Sequence, residues 1–225
     1  MQKFDSPAPI SVVLDIPAGR VRLVAADRAD TGVEVVPADA SRGADVKAAE
    51  QVTVAYADGV LRIETPQAAN SRLLGAGSGS VEVTVQLPAG SRVEARTAAA
   101  EISGTGRLGD VTLESAQGTI TLDETASARL TLAAGDITVH RLGGSAEIST
   151  QKGDLTITEA VHGTVTLRTE AGHITVGAAH GVSATLDAGT GYGRVDNALN
   201  NSEGSAAGLA IHATTAYGDI TARSN

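Results

Sequence analysis

One short pattern recurs seven times from residue 100 onward, and it constrains the fold more than any other feature of the chain. Its clearest copy is Ala133-Ala134-Gly135-Asp136-Ile137-Thr138-Val139, in which a turn glycine precedes a polar residue and then alternating apolar and polar residues. A turn followed by such alternation is typical of a β-strand. Gaps of 18, 17, 18, 19, 21 and 25 residues separate the turn anchors, which are Ala100, Gly118, Gly135, Gly153, Gly172, Gly193 and Gly218. A period near 18 residues indicates a solenoid, in which each repeat forms one coil.

A second short strand precedes each turn, so every repeat offers two strands. Apolar residues stand two apart in both, as in Leu130/Leu132 before a turn and Ile137/Val139 after it. Residues two apart in a strand point to the same side, which predicts that both pairs face the interior of the coil. The residue between the second pair is often threonine, a β-branched residue suited to stacked parallel strands: Thr121, Thr138, Thr156, Thr175 and Thr221.

These patterns predict an all-β fold, a single-stranded parallel β-solenoid with about 18 residues per coil. A left-handed hexapeptide solenoid needs an apolar residue every six positions, and that spacing is absent here because Leu113 and Ile120 are seven apart. The usual hand of parallel crossovers favours a right-handed winding. The solenoid repeats are predicted to occupy residues 91–225.

Residues 1–90 are predicted to form an antiparallel β region that caps the repeats and continues into them. Asp58-Gly59 lies between two alternating segments, which is typical of a type I′ hairpin. One or two helical turns are expected at residues 45–51. The small-residue segment 67–79 is expected to be a disordered loop.

Composition limits the classes of function. The chain has 225 residues, no cysteine and only four aromatic residues, so a thin stacked core of aliphatic side chains fits better than a globular core of large rings. Its net charge of −9 disfavours nucleic acid as a partner. No apolar run approaches the roughly 18 residues of a membrane helix, so direct membrane insertion is not expected. The first residues lack the apolar core of a signal peptide, which predicts a cytoplasmic location, with the cell surface reached by a non-classical route as the alternative.

The last repeats differ from the others. Residues 196–208 form a polar insertion in a lengthened repeat, and its side chains suit a hydroxyl-rich or peptide ligand: Asn197, Asn200, Asn201, Ser202 and Glu203. A tolerated surface insertion is the alternative. Tyr192 and Tyr217 both stand just before a turn glycine, so they are expected to stack on neighbouring terminal coils, with residues 209–225 as the last coil.

Several stretches resemble the bacterial β-strand-repeat proteins known as putative adhesins, a family of unknown function common in actinobacteria. The stretches that carry this resemblance are residues 10–27, 44–66 and 81–90, the repeat 134–139 and the closing segments 192–199 and 217–220. The resemblance implies a solenoid and brings no catalytic residues. Adhesion is the label of the family, and the expected lack of a secretion signal departs from that label.

No cofactor, metal site or catalytic motif is predicted. The polar residues that follow the turn anchors, Asp136 and Asp154 among them, are interpreted as caps of the turns, with a weak cation site as the alternative. The leading hypothesis is a non-enzymatic structural or interaction module that binds a protein or glycan or associates with itself. The alternative is a carbohydrate-active enzyme that uses Asp187, Asp196 and Glu203 near Arg194.

Overall fold

A computed structural model of the chain describes residues 1–65 and 79–225. Within these residues the fold is all-β, as predicted, and sixteen strands form one open, solenoid-like sheet. The strands are β1 (Gln2–Asp5), β2 (Ser11–Ala26), β3 (Asp30–Pro37), β4 (Thr53–Ala57), β5 (Val60–Glu64), β6 (Val81–Pro88), β7 (Arg92–Ala134), β8 (Ile137–Leu142), β9 (Ala146–Lys152), β10 (Leu155–Ala160), β11 (Gly163–Ala171), β12 (Ile174–Ala178), β13 (Ala184–Tyr192), β14 (Val195–Ala198), β15 (Leu209–Tyr217) and β16 (Ile220–Ser224). The helix α1 spans Gly43–Gln51, and a 3₁₀ turn spans Gly204–Ala206. The loop expected at residues 67–79 lies outside the described residues, apart from Gly79.

Strands from successive repeats pair side by side in parallel. In β8, β10 and β12, Ile137 lies beside Leu155, and Leu155 lies beside Ile174. On the other side of the turn, β9 and β11 pair in the same way, with Ile148 beside Leu167. Equivalent residues therefore form columns that run along the stack, spaced at the usual inter-strand distance of about 4.8 Å.

The turn glycines are required by the close approach of neighbouring turns. Gly135 has φ +132°, and a Cβ atom built there would lie 1.7 Å from the carbonyl oxygen of Gly118 in the preceding turn. No side chain fits that space, and L-residues rarely adopt that backbone conformation. The other anchors predicted from the sequence make the same approach to the carbonyl of a neighbouring turn: Gly118, Gly153, Gly172, Gly193 and Gly218. The glycine column lets successive turns stack directly.

The core is a stack of thin aliphatic layers. Ile137 and Leu155 are each only 1% exposed, and Ile120, Ile174 and Ile220 of the same column are as deeply buried. Each coil contributes a few such side chains and covers those of its neighbours, which is how a repeat protein builds a continuous core. Because each layer is thin, the core needs no large rings.

The N-terminal end of the stack is covered by antiparallel strands and the helix. β1 pairs with β3, and β3 pairs with β6, both antiparallel. β4 and β5 form the hairpin predicted around Asp58-Gly59, where both residues have positive φ. In contrast, β2 pairs in parallel with β5, β6 and β7. The sheet is therefore mixed, and the antiparallel region expected within residues 1–90 is limited to the pairings of β1, β3 and β4.

Helix α1 lies against β3 and β6 at this end. It begins at Gly43, two residues before the predicted start. Its buried Asp45 accepts a hydrogen bond from the main-chain N–H of Ser80 at 3.0 Å, which satisfies the carboxylate. The helix thus packs on the antiparallel strands at this end of the stack.

The coils do not stack in chain order at the other end, which corrects the expectation that residues 209–225 form the last coil. β15 lies between β11 and β13, and β16 lies between β12 and β14. The C-terminal coil is therefore inserted, and the preceding coil, β13 and β14, is the terminal one.

The lengths of the last two repeats explain the inversion. The gap of 21 residues from Gly172 to Gly193 lets the chain pass over one coil position, and the gap of 25 residues to Gly218 lets it step back. Residues 199–208 thus return the chain into the stack, whereas the sequence alone suggested an insertion that bulges from one coil.

Candidate functional site

The end of the stack away from α1 carries most of the predicted functional residues. We call β13, β14 and residues 199–208 the open end, because β14 is an outermost strand of the sheet. All four residues of β14 are exposed, including the apolar Val195, which is 44% exposed. An apolar residue at a position that is buried in every neighbouring coil marks this end as an incomplete layer.

The two tyrosines stack at the open end as predicted. Their ring centroids lie 5.1 Å apart and the ring planes differ by 3°. Tyr192 is 72% exposed and Tyr217 is 60% exposed. The register places Tyr217 between Ala171 and Tyr192, so one face of the Tyr192 ring points away from the stack. Large aromatic side chains at protein surfaces are typical of interaction sites.

The predicted binding loop is held to the stack by its own polar groups. Asn197 Oδ1 accepts from the main-chain N–H of Leu199 at 3.1 Å, and Asn201 Oδ1 accepts from the Ser183 hydroxyl at 3.4 Å. The carbonyl of Asn200 accepts from the N–H of Ala184 at 3.0 Å. The loop therefore has a defined path across the beginning of β13.

Three of the five predicted loop side chains face solvent without an internal partner. In the described part of the chain, Asn200, Ser202 and Glu203 are exposed, and their side chains make no hydrogen bond or ion pair to another residue. The side chains of Asn197 and Asn201 are engaged within the loop region. The structure thus separates the predicted set into two anchoring residues and three that are accessible to a ligand.

The polar residues after the turn glycines form a column of hydrogen bonds from one coil to the next. Asp136 Oδ1 accepts from the N–H of Asp154 at 2.8 Å, and Asp154 Oδ1 accepts from the N–H of His173 at 2.7 Å. Nδ1 of His173 accepts from the N–H of Asp219 at 3.0 Å, and Asp219 Oδ1 accepts from the N–H of Arg194 at 2.9 Å. Each side chain therefore caps the next turn.

The carboxylate oxygens of this column accept hydrogen bonds from main-chain N–H groups. These bonds explain why acidic residues in adjacent coils can lie close together. Charged acceptors strengthen such hydrogen bonds. Among the described residues no group of three or more His, Asp or Glu side chains is placed to hold a metal ion. The geometry supports the interpretation of Asp136 and Asp154 as caps of the turns.

A second column, on the inner side of the turns, was not found by sequence reasoning. The hydroxyls of Thr169 and Thr215 donate to the carbonyls of Gly153 and Gly172 at 3.2 and 3.1 Å. Thr190 makes the same bond to Gly218 at 2.9 Å. The signal is a threonine three residues before each of the later turn glycines. Each turn is thus held from both sides by side chains of neighbouring coils.

Charged side chains on the strands before the turns link coils through exposed pairs. Arg92 lies 3.1 Å from Asp110, Arg96 lies 3.5 Å from Glu114, and Arg129 lies 3.3 Å from Glu147. The Ser127 hydroxyl donates to Asp110 at 2.7 Å, and this bond, followed by that from Arg92, lowers the pKa of Asp110. Pairs as exposed as these contribute little stability each.

The carboxylates of the enzymatic alternative do not form one constellation. Asp187 lies on β13 and faces His212 at 3.4 Å, whereas Asp196 lies on β14, beyond the Gly193 turn. Glu203 lies in the return loop. One groove of about 480 Å³ runs beside Gly109, Ala126 and Gly144, and it contains none of these three carboxylates. The three carboxylates therefore lie on three different segments of the chain.

No helix among the described residues is both long and apolar enough to cross a membrane.

Comparisons with known proteins agree with this architecture. The model of the Toastrack family, DUF4097, matches residues 11–224. No curated protein matches the chain. A solved structure of a putative adhesin from Bacteroides fragilis NCTC 9343 is similar over 98% of this chain and 95% of its own, with 11% identity and a TM-score of 0.59. At that identity the likeness establishes the fold alone.

Two further solved structures resemble the chain less closely in superposition. A putative cell adhesion protein from Clostridium sporogenes ATCC 15579 shares 13% identity over 100% of this chain and 98% of its own, with a TM-score of 0.42. A putative adhesin from Parabacteroides distasonis ATCC 8503 shares 12% identity over 98% and 95%, with a TM-score of 0.47. The resemblance inferred from the sequence is confirmed. Because the family model spans nearly the whole chain, the protein belongs to the Toastrack family DUF4097.

Proposed function

We propose that this protein is a non-enzymatic interaction module, similar to an adhesin, whose open end contacts a protein or glycan. A second copy of the chain can also bind there. The similarity to a structure named as a putative adhesin supports the class of function. The stack itself supplies rigidity, because hydrogen bonds join every coil to its neighbours.

The exposed tyrosine pair is the observation that carries this proposal. Only four aromatic residues occur in the chain, and two of them lie on the surface at the open end. A hydrophobic role in the core does not explain them, because their rings are largely in solvent. Tyrosine is enriched at binding surfaces because it combines a large apolar ring with a polar hydroxyl and few rotatable bonds.

The accessible loop residues complete a site of mixed character. Asn200, Ser202 and Glu203 supply donors and acceptors on the same end of the stack as the rings. Apolar rings beside amides and hydroxyls match the surface of a sugar or a polar peptide. The ends of the loop are fixed by the coil, which lowers the entropy lost on binding.

The proposal takes the scaffold to be a right-handed, single-stranded parallel solenoid with about 18 residues per coil. The parallel registers of β8, β10 and β12, in which partners are 18 or 19 residues apart, support this description. The terminal coil of such a stack presents both a strand edge and a cross-section to partners.

The enzymatic alternative has no specific support, because its three carboxylates are not brought together. An interaction module needs a shape and accessible contact groups, and the open end provides both. The chemistry visible in the described residues is hydrogen bonding and stacking.

The experiment compares binding of wild type and Tyr192→Ala to arrays of glycans and of immobilised surface proteins. We expect binding to at least one class of target, and a loss of about tenfold or more in the variant, as for a central aromatic contact. Val36→Ala is the matched control, because Val36 is also apolar and 40% exposed but lies on β3, at the N-terminal end of the stack. Equal binding by wild type and Tyr192→Ala would contradict the proposed site.

A further inference from the structure

The two ends of the stack differ in the strands that form them. At the N-terminal end, the outermost strands β1 and β4 pair antiparallel with their neighbours, and α1 packs on β3 and β6. At the open end, β14 pairs with β16 on one side, and no described strand pairs with its other side. An uncovered strand edge is a template for pairing with another chain.

The unpaired groups of β14 can be assigned from the register. In parallel sheets the N–H and C=O of one residue point to one neighbour, and those of the next residue point to the other. The N–H of Ile137 donates to the carbonyl of Asp154 in the next coil, and the N–H of Ile220 donates to the carbonyl of Arg194, the residue before β14. Val195 occupies the same column, so its N–H and C=O point away from the stack.

We propose that a second copy of this chain pairs antiparallel with β14, in a two-fold register centred on Val195. In this register the two Val195 residues exchange both main-chain hydrogen bonds, as in any hydrogen-bonded antiparallel pair. Their exposed side chains then cover each other. This inference rests on the proposed function, because it specifies how a second copy binds at the open end.

Charge complementarity selects this occupant and this register. The two-fold centre at Val195 places Arg194 of each copy opposite Asp196 of the other. Within the described part of the chain, neither of these exposed side chains belongs to an ion pair. Opposite charges that face each other across an antiparallel pair stabilise the pair, and like charges destabilise it. Two free and opposite charges that flank an exposed valine are therefore self-complementary.

The contact is limited to residues 192–198, because a centre at Val195 places Asn197 opposite Gly193 and Ala198 opposite Tyr192. The carbonyl of Asn200 already accepts from the N–H of Ala184, so the return loop covers the beginning of β13. A four-residue strand gives a small interface, which is typical of weak and reversible association with a dissociation constant of about 0.1–1 mM. Copies held together on a surface would pair through such a contact by multivalency.

Charge reversal provides the test. Arg194→Asp puts two acidic residues opposite each other, and Asp196→Arg puts two basic residues there, so each variant alone should lose self-association by about tenfold or more. An equimolar mixture of the two variants restores opposite charges on both sides of the pair. We expect the mixture to associate like wild type in sedimentation equilibrium up to about 2 mM protein.

Amide hydrogen exchange gives an independent measurement on the wild type. The N–H groups of Val195 and Asn197 should become protected as the protein concentration rises, whereas the N–H of Ala184 should not change. A wild type that stays monomeric to about 2 mM overturns the proposal, and so does a single variant that associates like wild type. A mixture that stays monomeric overturns the register.

The outcome is separable from that of the proposed partner binding. Neither charge reversal changes Tyr192, and the array experiment uses protein far below the concentration of self-association. A monomeric wild type that binds a target through Tyr192 would refute only the pairing of β14. A dimer that binds no target would refute only the partner site.

Discussion

At the scale of single residues, the turns between coils determine most of the sequence pattern. Gly135 allows a direct contact with the preceding turn, Thr150 and its equivalents bind the turn from inside, and Asp154 and its equivalents bind it from outside. These residues satisfy main-chain groups that a change of direction would otherwise leave to water. The repeat is therefore specified more strictly at its turn than along its strands.

Gly135→Ala should be one of the most destabilising single changes. The new Cβ atom would lie 1.7 Å from the Gly118 carbonyl oxygen, and φ is +132°. We expect a loss of about 3 kcal/mol or more in the free energy of unfolding, measured by urea titration. Gly181→Ala is the control, since Gly181 has φ +77° with no atom within 4 Å of the new Cβ, and it should cost about 1 kcal/mol. Equal costs would show that the turn contact is unimportant.

Asp154→Ala tests the outer column. Its Oδ1 accepts from His173 at 2.7 Å, so the variant should lose about 1 kcal/mol of stability, as water replaces the lost acceptor in an exposed position. Asp154→Asn keeps an acceptor oxygen without the charge and should lose less than half of that amount. Millimolar Ca²⁺ should leave the melting temperature of wild type unchanged if the carboxylate serves the turn. A stabilisation by Ca²⁺ that disappears in Asp154→Asn would instead indicate a cation site.

At the scale of elements, the order of the last two coils is the main structural finding. β13 and β15 have the same alternation of inward and outward residues. Leu209 at the start of β15 pairs with Gly163 of β11 on one side and with Ala184 of β13 on the other. The two strands can therefore occupy each other's positions without moving a side chain to the wrong face. The longer gaps after Gly172 and Gly193 select the inserted order by giving the chain enough length to step over and return.

Truncation after residue 208 should let β13 and β14 move into the vacated position. Val195 would then lie on Ile174, and Tyr192 would lie on Ala171, with the inward alternation preserved. In the full chain, the N–H groups of Gly172 and Ile174 donate to the carbonyls of Tyr217 and Asp219. In the truncated chain they would donate to the carbonyls of Tyr192 and Arg194. We expect these two amides to remain protected in hydrogen exchange.

A chain truncated after residue 183 is the control for this rearrangement. It lacks both coils, so the amides of Gly172 and Ile174 should exchange quickly. If they exchange equally quickly in both truncated chains, β13 and β14 do not re-pair and the two positions are not equivalent.

Features of the structure that depend on residues close in sequence could be predicted, and those that depend on distant segments could not. The turn glycines, the Asp58-Gly59 hairpin and the burial of Ile137 depend on residues close in sequence, and they were predicted correctly. The inserted coil depends on pairing between distant segments that have the same alternation, so pattern alone could not order them. The distinction between Asn201, which is bonded to Ser183, and Asn200, whose side chain is accessible, likewise depends on the folded path of the loop.

At the scale of the whole molecule, the stack is a one-dimensional array whose two ends differ, with antiparallel strands at one end and the exposed strand β14 at the other. Residues of one column differ in burial only through their position along the array. Ile137 is 1% exposed in the middle, whereas Val195 is 44% exposed at the open end. Stability in such an array arises from contacts between neighbouring repeats, so a middle coil contributes two such contacts and a terminal coil contributes one.

The same substitution at two positions of this column should therefore differ strongly in its effect on stability. Ile137→Asp places an unpaired charge between two layers, and the cost of several kcal/mol is a large part of a total stability of about 5–15 kcal/mol. We expect the repeat region to unfold, with loss of the β signal in circular dichroism at 25 °C. Val195→Asp introduces the same carboxylate into solvent and should change the free energy of unfolding by no more than about 0.5 kcal/mol, measured at micromolar protein concentration, where copies do not pair. If both variants unfold, β14 is packed more tightly than its exposure indicates, and if neither unfolds, the column is not the core of the stack.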